Sequence, residues 1–226
     1  MVARSVKAHE YAEKRNAILN VAQRYISTKG YEQMTTQDIL ADLQISRGAF
    51  YHYFDSKAAV LFALVERRGD QLEQLVLPIV HDPSLSALDK LRRYFATHNH
   101  VKLENKGLVL TFMHVWYADE NALLRHKLSI EGRKRLVPWL SQIIQEGVVE
   151  GVFTTPYPDQ TARLLIALFE DFGNAIVELL LTENCAISDN PQITQMSEAT
   201  VDALERILGA QPGCLQDTWR EALSQW

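Results

Sequence analysis

Residues 47–52 place several hydrogen-bonding groups on a short stretch of chain. Arg47, Tyr51 and His52 carry donors, and Gly48 has no side chain to keep another molecule away. Arg47 and Tyr51 are four residues apart, the spacing that puts two side chains on one face of a helix. Guanidinium, phenol and imidazole groups can donate to phosphate oxygens and to the acceptors that guanine exposes in the major groove. The pattern predicts a helix whose outer face reads DNA.

The preceding residues supply the turn and the supporting helix that a reading helix requires. Ser46 is a suitable N-cap for a helix over residues 47–53, and Thr35 with Asp38 resembles the capping box of an earlier helix. Three residues, Leu43 to Ile45, are left for the turn. The spacing of apolar residues predicts these inner faces: Ile39, Leu40 and Leu43 on the first helix, and Ala49, Phe50 and Tyr53 on the second.

Groups that can hold phosphates lie on both sides of this hairpin. Thr36 and Lys57 offer a hydroxyl and an ammonium, and the helix N-termini at Thr35 and Ser46 offer backbone N–H groups. Such contacts would set the register of the protein on a duplex. The predicted DNA-binding residues are Thr35, Thr36, Ser46, Arg47, Gly48, Tyr51, His52 and Lys57.

This segment resembles the N-terminal domain of TetR-family transcriptional repressors, most clearly from about residue 12 to about residue 64. The matching residues are Gly30, Tyr31, Thr35, Thr36, Ile39, Ser46, Gly48, Tyr51, Tyr53, Phe54, Lys57 and Leu61. The family usually has an Ala-Gly pair entering the turn, where this chain has Leu43 and Gln44. A left-handed non-glycine residue there would cost about 1 kcal/mol. Repression is the family's usual mode, and the sequence does not decide between repressor and activator.

Charge is distributed unevenly along the 226 residues, whose net charge is -5 at pH 7. Residues 1–60 contain eight Lys and Arg against six Asp and Glu, and the remaining residues contain 15 against 22. A mildly basic N-terminal part on an acidic remainder suits a protein that contacts DNA with one end. It argues against a non-specific DNA-packaging protein.

The rest of the chain is predicted to be helical, so the expected fold is all-α. The helices are predicted at residues 9–29, 57–80, 87–102, 107–117, 121–150, 158–182 and 192–208. Pro78 and the Asp82–Ser84 stretch are expected to end the second of these, and Pro138 to divide or kink the fifth. We expect a helix-turn-helix domain over residues 1–56 and an effector-binding and dimerisation domain over residues 57–226.

The last two long segments have wider apolar surfaces than one stripe requires. In TetR-family proteins the final two long helices pair with their symmetry mates, so the resemblance implies a homodimer on a palindromic operator. The alternative is a pair of ordinary core helices. The residues predicted for the dimer interface are Leu165, Phe169, Ile176, Leu180, Val201, Leu204 and Leu208.

The resemblance also implies a small-molecule pocket whose occupation shifts the dimer away from its DNA-competent state. The candidate lining residues are Phe95, Met113, Trp116, Tyr117, Phe169 and Phe172. They favour a small apolar or aromatic effector, although such residues at helical spacing are also typical of plain core. No cofactor is expected.

Other classes of function find less support in the sequence. The chain has no Gly-rich phosphate loop, nucleophile elbow or His-Glu-x-x-His pattern, which argues against an all-α enzyme. His100 and Glu104 share a helix face without a third metal ligand, and no metal site is expected. Cys185 and Cys214 lack zinc-site spacing, which leaves a thiol sensor open. The lack of a secretory signal and of a long apolar run predicts a cytoplasmic protein.

Overall fold

A computed structural model describes the backbone of residues 2–104, 121–183 and 190–224, and the regular elements in these ranges are helices. They are α1 (Val2–Lys29), α2 (Thr36–Leu43), α3 (Arg47–Tyr51), α4 (Lys57–Val80), α5 (Ala87–Glu104), α6 (Ala122–Glu150), α7 (Pro158–Glu183), α8 (Pro191–Leu208) and α9 (Gln216–Ser224). The expected all-α fold is confirmed. None of these helices has the length and apolar character needed to cross a membrane.

Several helix ends differ from the predicted ones. Helix α1 begins at Val2 instead of near residue 9, and α9 was not predicted because nine residues carry little periodic pattern. Pro78 lies inside α4 and Pro138 inside α6, so neither proline ends its helix. Each costs its helix a backbone hydrogen bond, which the packing of a long helix can offset. The helix predicted over residues 107–117 lies outside the described ranges.

The described residues group into two compact units. Residues up to 71 form the N-terminal unit, and residues 72–104 with 122–224 form the C-terminal unit. The division falls within α4, whereas the sequence placed a domain boundary at its start, between residues 56 and 57.

A small apolar core holds the N-terminal unit together. Arg67 of α4 donates hydrogen bonds to the side-chain oxygens of Asn20 and Gln23 on α1, each over 2.7 Å, which ties the first half of α4 to α1. Phe50 of α3 is fully buried. The other core residues include Ile18, Leu19, Ala22, Met34, Ile39, Val60, Leu61 and Leu64. This core fixes the orientation of α2 and α3.

The C-terminal unit has a larger core, formed by the second half of α4 together with helices α5 to α8. Its members include Val76, Val80, Leu91, Tyr94, Leu140, Ile143, Ile144, Phe153, Ile166 and Leu204. Polar caps fix the helix ends around it. The Glu150 carboxylate at the end of α6, for example, accepts the Ala87 N–H at the start of α5 over 2.9 Å.

Buried polar contacts hold the loop that leads into α9. The Glu205 side chain, 3% exposed, accepts the N–H groups of Gly213 and Leu215 over 2.7 and 2.8 Å. Arg92 donates to the Cys214 carbonyl oxygen over 2.8 Å. Burial and the nearby Glu205 carboxylate raise the pKa of the Cys214 thiol, which lowers its thiolate fraction. Cys185 lies outside the described residues.

Candidate nucleic-acid interface

The N-terminus of α2 has the capping box that the sequence predicts. The Thr35 hydroxyl accepts the Asp38 N–H over 3.2 Å, and the Asp38 carboxylate accepts the Thr35 N–H over 2.7 Å. The Lys29 ammonium of α1 lies 2.7 Å from the same carboxylate. Asp38 therefore joins the start of α2 to the end of α1. Thr36, the first residue of α2, is half-buried.

We expect this carboxylate to make stability depend on acid pH. The hydrogen bond from Lys29, followed by those from Thr35, lowers the pKa of Asp38 from 3.8 to about 2. Because the folded pKa is the lower one, the stabilisation is complete at neutral pH and is lost as the pH falls from about 5 towards 2. Urea unfolding at pH 7 and pH 3 should show a smaller acid loss for Asp38→Asn than for wild type. Equal losses would contradict this assignment.

The turn after α2 contains the left-handed residue expected from the departure at Leu43 and Gln44. Gln44 has φ 52° and ψ 41°, and it is the non-glycine residue with positive φ among the described residues. The Ile45 N–H then reaches back to the Leu40 carbonyl oxygen over 3.1 Å. Gln44 thus supplies the left-handed residue that ends the helix, a conformation that glycine usually adopts, and it carries the strain.

Glycine at this position should relieve the strain. We expect Gln44→Gly to raise the free energy of unfolding by about 0.5–1 kcal/mol, the cost of a left-handed side chain less the added freedom of the unfolded chain. Chemical denaturation would measure the change. Gln44→Ala is the control, because alanine keeps the strain and should give no such gain. A glycine variant no more stable than the alanine variant would refute the account.

Helix α3 divides into the two faces that the sequence predicts. Its N-cap is Ser46, whose hydroxyl accepts the Ala49 N–H over 3.1 Å. Phe50 is fully buried, whereas Arg47, Tyr51 and His52 are exposed. The Arg47 guanidinium lies 5.6 Å from the centre of the Tyr51 ring, so these two side chains support each other in solvent. The exposed face thus concentrates donors in one place.

Gly48 lies on this exposed face and borders open space. A Cβ atom added there would have the Ser46 hydroxyl oxygen, at 4.0 Å, as its nearest neighbour. The fold therefore does not need glycine at this position for packing. A glycine that nothing in the protein requires fits the prediction of close approach by DNA.

We expect Gly48→Ala to change folding and DNA binding in opposite directions. Alanine in a helix should stabilise the protein by about 0.5–1 kcal/mol, while its methyl group should weaken operator binding about tenfold. Gly132→Ala is a matched control, because Gly132 is also helical and borders open space in the C-terminal unit. Denaturation and fluorescence anisotropy would measure the two effects. Unchanged operator affinity in Gly48→Ala would remove this residue from the interface.

Lys57, for which the sequence predicts a phosphate contact, also has partners within the protein. Its ammonium donates to the Tyr31 carbonyl oxygen over 2.8 Å and lies 4.0 Å from the centre of the Tyr31 ring. A further carbonyl oxygen, that of Glu32, is 3.4 Å away. These contacts hold the connection between α1 and α2, and the phosphate contact of Lys57 stays a prediction. Short-range sequence spacing cannot reveal these contacts, because the partners lie about 25 residues away in the chain.

Comparison with known proteins identifies this arrangement. Residues 18–64 match the family described as bacterial regulatory proteins, tetR family. The matched range contains the whole of α2 and α3, including the exposed face of α3. The helix-turn-helix unit of this chain is a TetR-family DNA-binding domain.

Relatives and solved structures agree with this TetR-family assignment. The HTH-type transcriptional repressor DhaR of Mycobacterium sp. (strain GP1) is 24% identical over 179 residues, which cover 79% of this chain and 88% of that protein. The HTH-type transcriptional regulator EthR of Mycolicibacterium smegmatis is 41% identical over 54 residues, 24% of this chain and 25% of that protein. A TetR-family regulator from Pectobacterium atrosepticum has the same fold, with TM-score 0.63, 22% identity, and coverage of 90% and 97% of the two chains.

With this TetR-family domain, and with a transcriptional repressor aligned over most of its length, the chain is a DNA-binding transcriptional regulator and not an enzyme. Its fold consists of the helix-turn-helix unit and a helical C-terminal unit. Within the part of the chain that the structure describes, no three His, Cys, Asp or Glu side chains converge as metal ligands.

Three of the predicted effector residues of this TetR-family regulator come together in the C-terminal unit. Phe95 and Phe169 lie 4.9 Å apart between ring centres, and Phe172 joins them through Trp219. The Trp219 ring stacks on Phe169 at 5.4 Å, and its Nε1–H donates to the Ser197 hydroxyl over 2.6 Å. Met113, Trp116 and Tyr117 lie outside the described residues.

Trp219 is the member of this cluster that the sequence prediction missed. It lies on α9, which was not predicted as a helix, about 50 residues after Phe169. Its indole fills space beside the predicted effector residues, so the cluster is packed with side chains. The signal that the sequence offers for this position is the tryptophan itself, a large apolar residue in a segment without a predicted helix.

Most of the residues predicted for a dimer interface of this TetR-family protein lie in its own core, and the prediction is wrong for them. They are Leu165, Val201, Leu204 and Leu208, each at most 2% exposed. Side chains enclosed within one chain cannot reach a second protomer. An apolar stripe in a sequence predicts burial without saying which chain supplies the covering helix. Phe169 and Ile176 are half-buried, and the side chain of Leu180 lies outside the description.

Proposed function

We propose that this chain is a dimeric repressor that leaves a palindromic operator when a small apolar or aromatic molecule binds its C-terminal unit. The observation that carries the proposal is the exposed face of α3. The hydrogen-bond donors on this face belong to Arg47, Tyr51 and His52, which are exposed. Gly48 on the same face borders open space, and Phe50 on the opposite face is buried. A helix N-capped at Ser46 adds backbone N–H groups that suit a phosphate. Thr35 and Thr36 lie at another such N-terminus, that of α2.

Repression is supported by the long alignment with DhaR. That protein is named a transcriptional repressor, and the likeness to this chain extends over 88% of its length. A repressor of this kind blocks transcription by occupying DNA, so the operator would lie where it obstructs a promoter. Measuring transcription from a promoter that carries the operator would separate repression from activation.

Dimerisation is supported by apolar side chains on α7 that the chain itself covers only in part. They recur every four residues along the helix: Leu164, Leu168, Phe172 and Ile176. Leu164 is 57% exposed and the other three are half-buried, so together they form a continuous apolar line on the surface. A second copy of the chain would cover this line and would place two α3 helices on one palindrome.

The aromatic cluster supports an apolar or aromatic effector. Phe95, Phe169, Phe172 and Trp219 bring four rings into contact, and they come from α5, α7 and α9. A flat apolar molecule could be accommodated among such rings if one of them moved, and Trp219 is carried by the shortest of these helices. We propose that effector binding shifts the population of DNA-competent dimers through α4.

Sedimentation of the purified protein, alone and with an operator, tests the dimer directly. The operator is first obtained by selecting genomic fragments on the full chain. We expect a dimer on a two-fold symmetric site, with Leu164→Asp shifting the protein towards monomer and weakening operator binding. Leu123→Asp is the matched control, because Leu123 is 68% exposed on α6 and should tolerate the charge. A monomer that occupies a single half-site would overturn the dimer.

A ligand screen tests the effector. Apolar aromatic compounds and sugar phosphates are compared for their effect on the melting temperature and on operator release, with Trp219→Phe beside wild type. We expect apolar aromatic compounds alone to raise the melting temperature and release the operator. Release by sugar phosphates, or release that does not depend on the compound's apolar rings, would contradict this proposal.

A further inference from the structure

Tyr11 of α1 belongs neither to the motif that resembles the TetR family nor to the apolar core. Tyr11 is 42% exposed and precedes the exposed residues Ala12, Glu13 and Lys14. Its ring nevertheless contacts two rings at the end of α3. The ring centres of Tyr11 and Tyr53 are 4.8 Å apart, and those of Tyr11 and His52 are 5.7 Å apart at an angle of 81°.

The His52 imidazole contacts both of these tyrosine rings. The Tyr53 ring contacts the imidazole at 5.1 Å, again at 81°, and the three rings contact one another in one cluster. Both contacts of the imidazole are edge-to-face, the arrangement that aromatic pairs favour. The backbone below is also fixed, because the His52 N–H donates to the Gly48 carbonyl oxygen over 3.2 Å. An exposed histidine without such neighbours would exchange among several rotamers.

This confinement has a consequence for reading DNA. A side chain that must donate to one base acceptor binds it better when it does not lose rotamer freedom on binding. His52 lies at the C-terminal end of the α3 face, next to Tyr51. Tyr11 itself is on another helix, so its effect on recognition passes through the imidazole.

We infer that Tyr11 is a positioning residue that orients His52 for base recognition and so contributes to operator specificity. This rests on the proposed contact between His52 and DNA. The ring of Tyr11 carries the effect, and its hydroxyl is not required. Phenylalanine should therefore replace it, and alanine should not.

The test compares base preferences at every position of the site. Full-length wild type, Tyr11→Ala, Tyr11→Phe and His52→Ala each select from a random duplex library, and bound and unbound pools are sequenced. Tyr157→Ala is the matched control, because Tyr157 is also an exposed tyrosine, 67% exposed, and lies in the C-terminal unit. Ring-current shifts of the His52 carbon-bound protons, measured without DNA, report the Tyr11 contact independently.

We expect His52→Ala to lose preference at one base-pair position of each half-site. Tyr11→Ala should weaken the preference at that same position by roughly two- to tenfold, the range that one aromatic pair contributes. Adding Tyr11→Ala to His52→Ala should cause no further loss there. Tyr11→Phe and Tyr157→Ala should match wild type, and Tyr11→Ala alone should change the His52 proton shifts.

Other outcomes overturn the inference in distinguishable ways. If Tyr11→Phe loses as much affinity as Tyr11→Ala for all sequences, the hydroxyl binds a phosphate instead. If His52→Ala keeps every base preference while wild type still selects a sequence, sequence-specific binding is supported but His52 does not contribute to it. If wild type selects no sequence, the proposed function fails together with the inference. Unchanged His52 shifts in Tyr11→Ala would refute the contact itself.

Discussion

Replacing Lys90 with alanine should lower the free energy of unfolding of the C-terminal unit by about 3 kcal/mol. Lys90 is 3% exposed, and its ammonium donates to the Val80 carbonyl oxygen over 2.8 Å and to the Glu146 carboxylate over 2.5 Å. Gln142 donates to the same carboxylate over 3.0 Å. Alanine would leave the carboxylate and the carbonyl oxygen without their cationic donor.

The electrostatics of this cluster support a large effect. Desolvation raises the pKa of Glu146, but hydrogen bonds from Lys90 and Gln142 outweigh it and leave the pKa below its ordinary value. The carboxylate is therefore stabilised in its charged form by Lys90. Because the Glu146 side chain is 32% exposed, water can solvate part of the abandoned charge, which places the expected loss at the lower end for buried pairs.

Chemical denaturation would measure the loss, with Lys134→Ala as the control. The Lys134 ammonium also lies 2.6 Å from a carboxylate, that of Glu131, but both side chains are about two-thirds exposed. An exposed pair should contribute no more than about 0.5 kcal/mol. Equal losses for the two alanine variants would show that burial of Lys90 does not matter. A loss confined to Lys90→Ala would confirm that this cluster fixes the end of α4 against α5 and α6.

Replacing Tyr51 with alanine should weaken operator binding by about 1–3 kcal/mol, the range for lost base or backbone contacts. Tyr51 is 42% exposed, so its loss should change folding stability by less than about 0.5 kcal/mol. The buried Phe50 keeps α3 in place in this variant. A loss of operator affinity without a comparable loss of stability would assign Tyr51 to DNA recognition and not to folding.

Anisotropy titration with the selected operator and urea denaturation would measure these effects side by side. Tyr157→Ala is again the control, since it removes an exposed tyrosine outside the N-terminal unit. Operator affinity that is the same in Tyr51→Ala as in wild type would remove Tyr51 from the interface. A large loss of stability would instead mean that the ring supports α3.

The helix-turn-helix could be predicted from sequence because its signals are local. The Thr35–Asp38 capping box, the Ser46 N-cap and the inner position of Phe50 each depend on residues three or four apart. Even the left-handed Gln44 followed from a turn that needs this conformation whatever residue occupies it. Such patterns favour a local conformation without information from distant parts of the chain.

The remaining features depend on contacts between distant parts of the chain. The Lys57 ammonium points to carbonyl oxygens about 25 residues away, and Leu165 and Leu204 are covered by helices of their own chain. Trp219 enters the aromatic cluster from a helix of nine residues. Periodicity identifies an apolar face but not its partner, so neither the Lys57 contacts nor the core positions followed from the sequence.

The most direct test of the account is a comparison of two dissociation constants for the wild-type protein. Fluorescence anisotropy would be measured with the selected duplex and with a shuffled duplex of the same composition, at two salt concentrations. We expect the selected duplex to bind at least about 10³ times more tightly than the shuffled duplex, with salt weakening the binding of both. Equal dissociation constants for the two duplexes would contradict sequence-specific reading by α3.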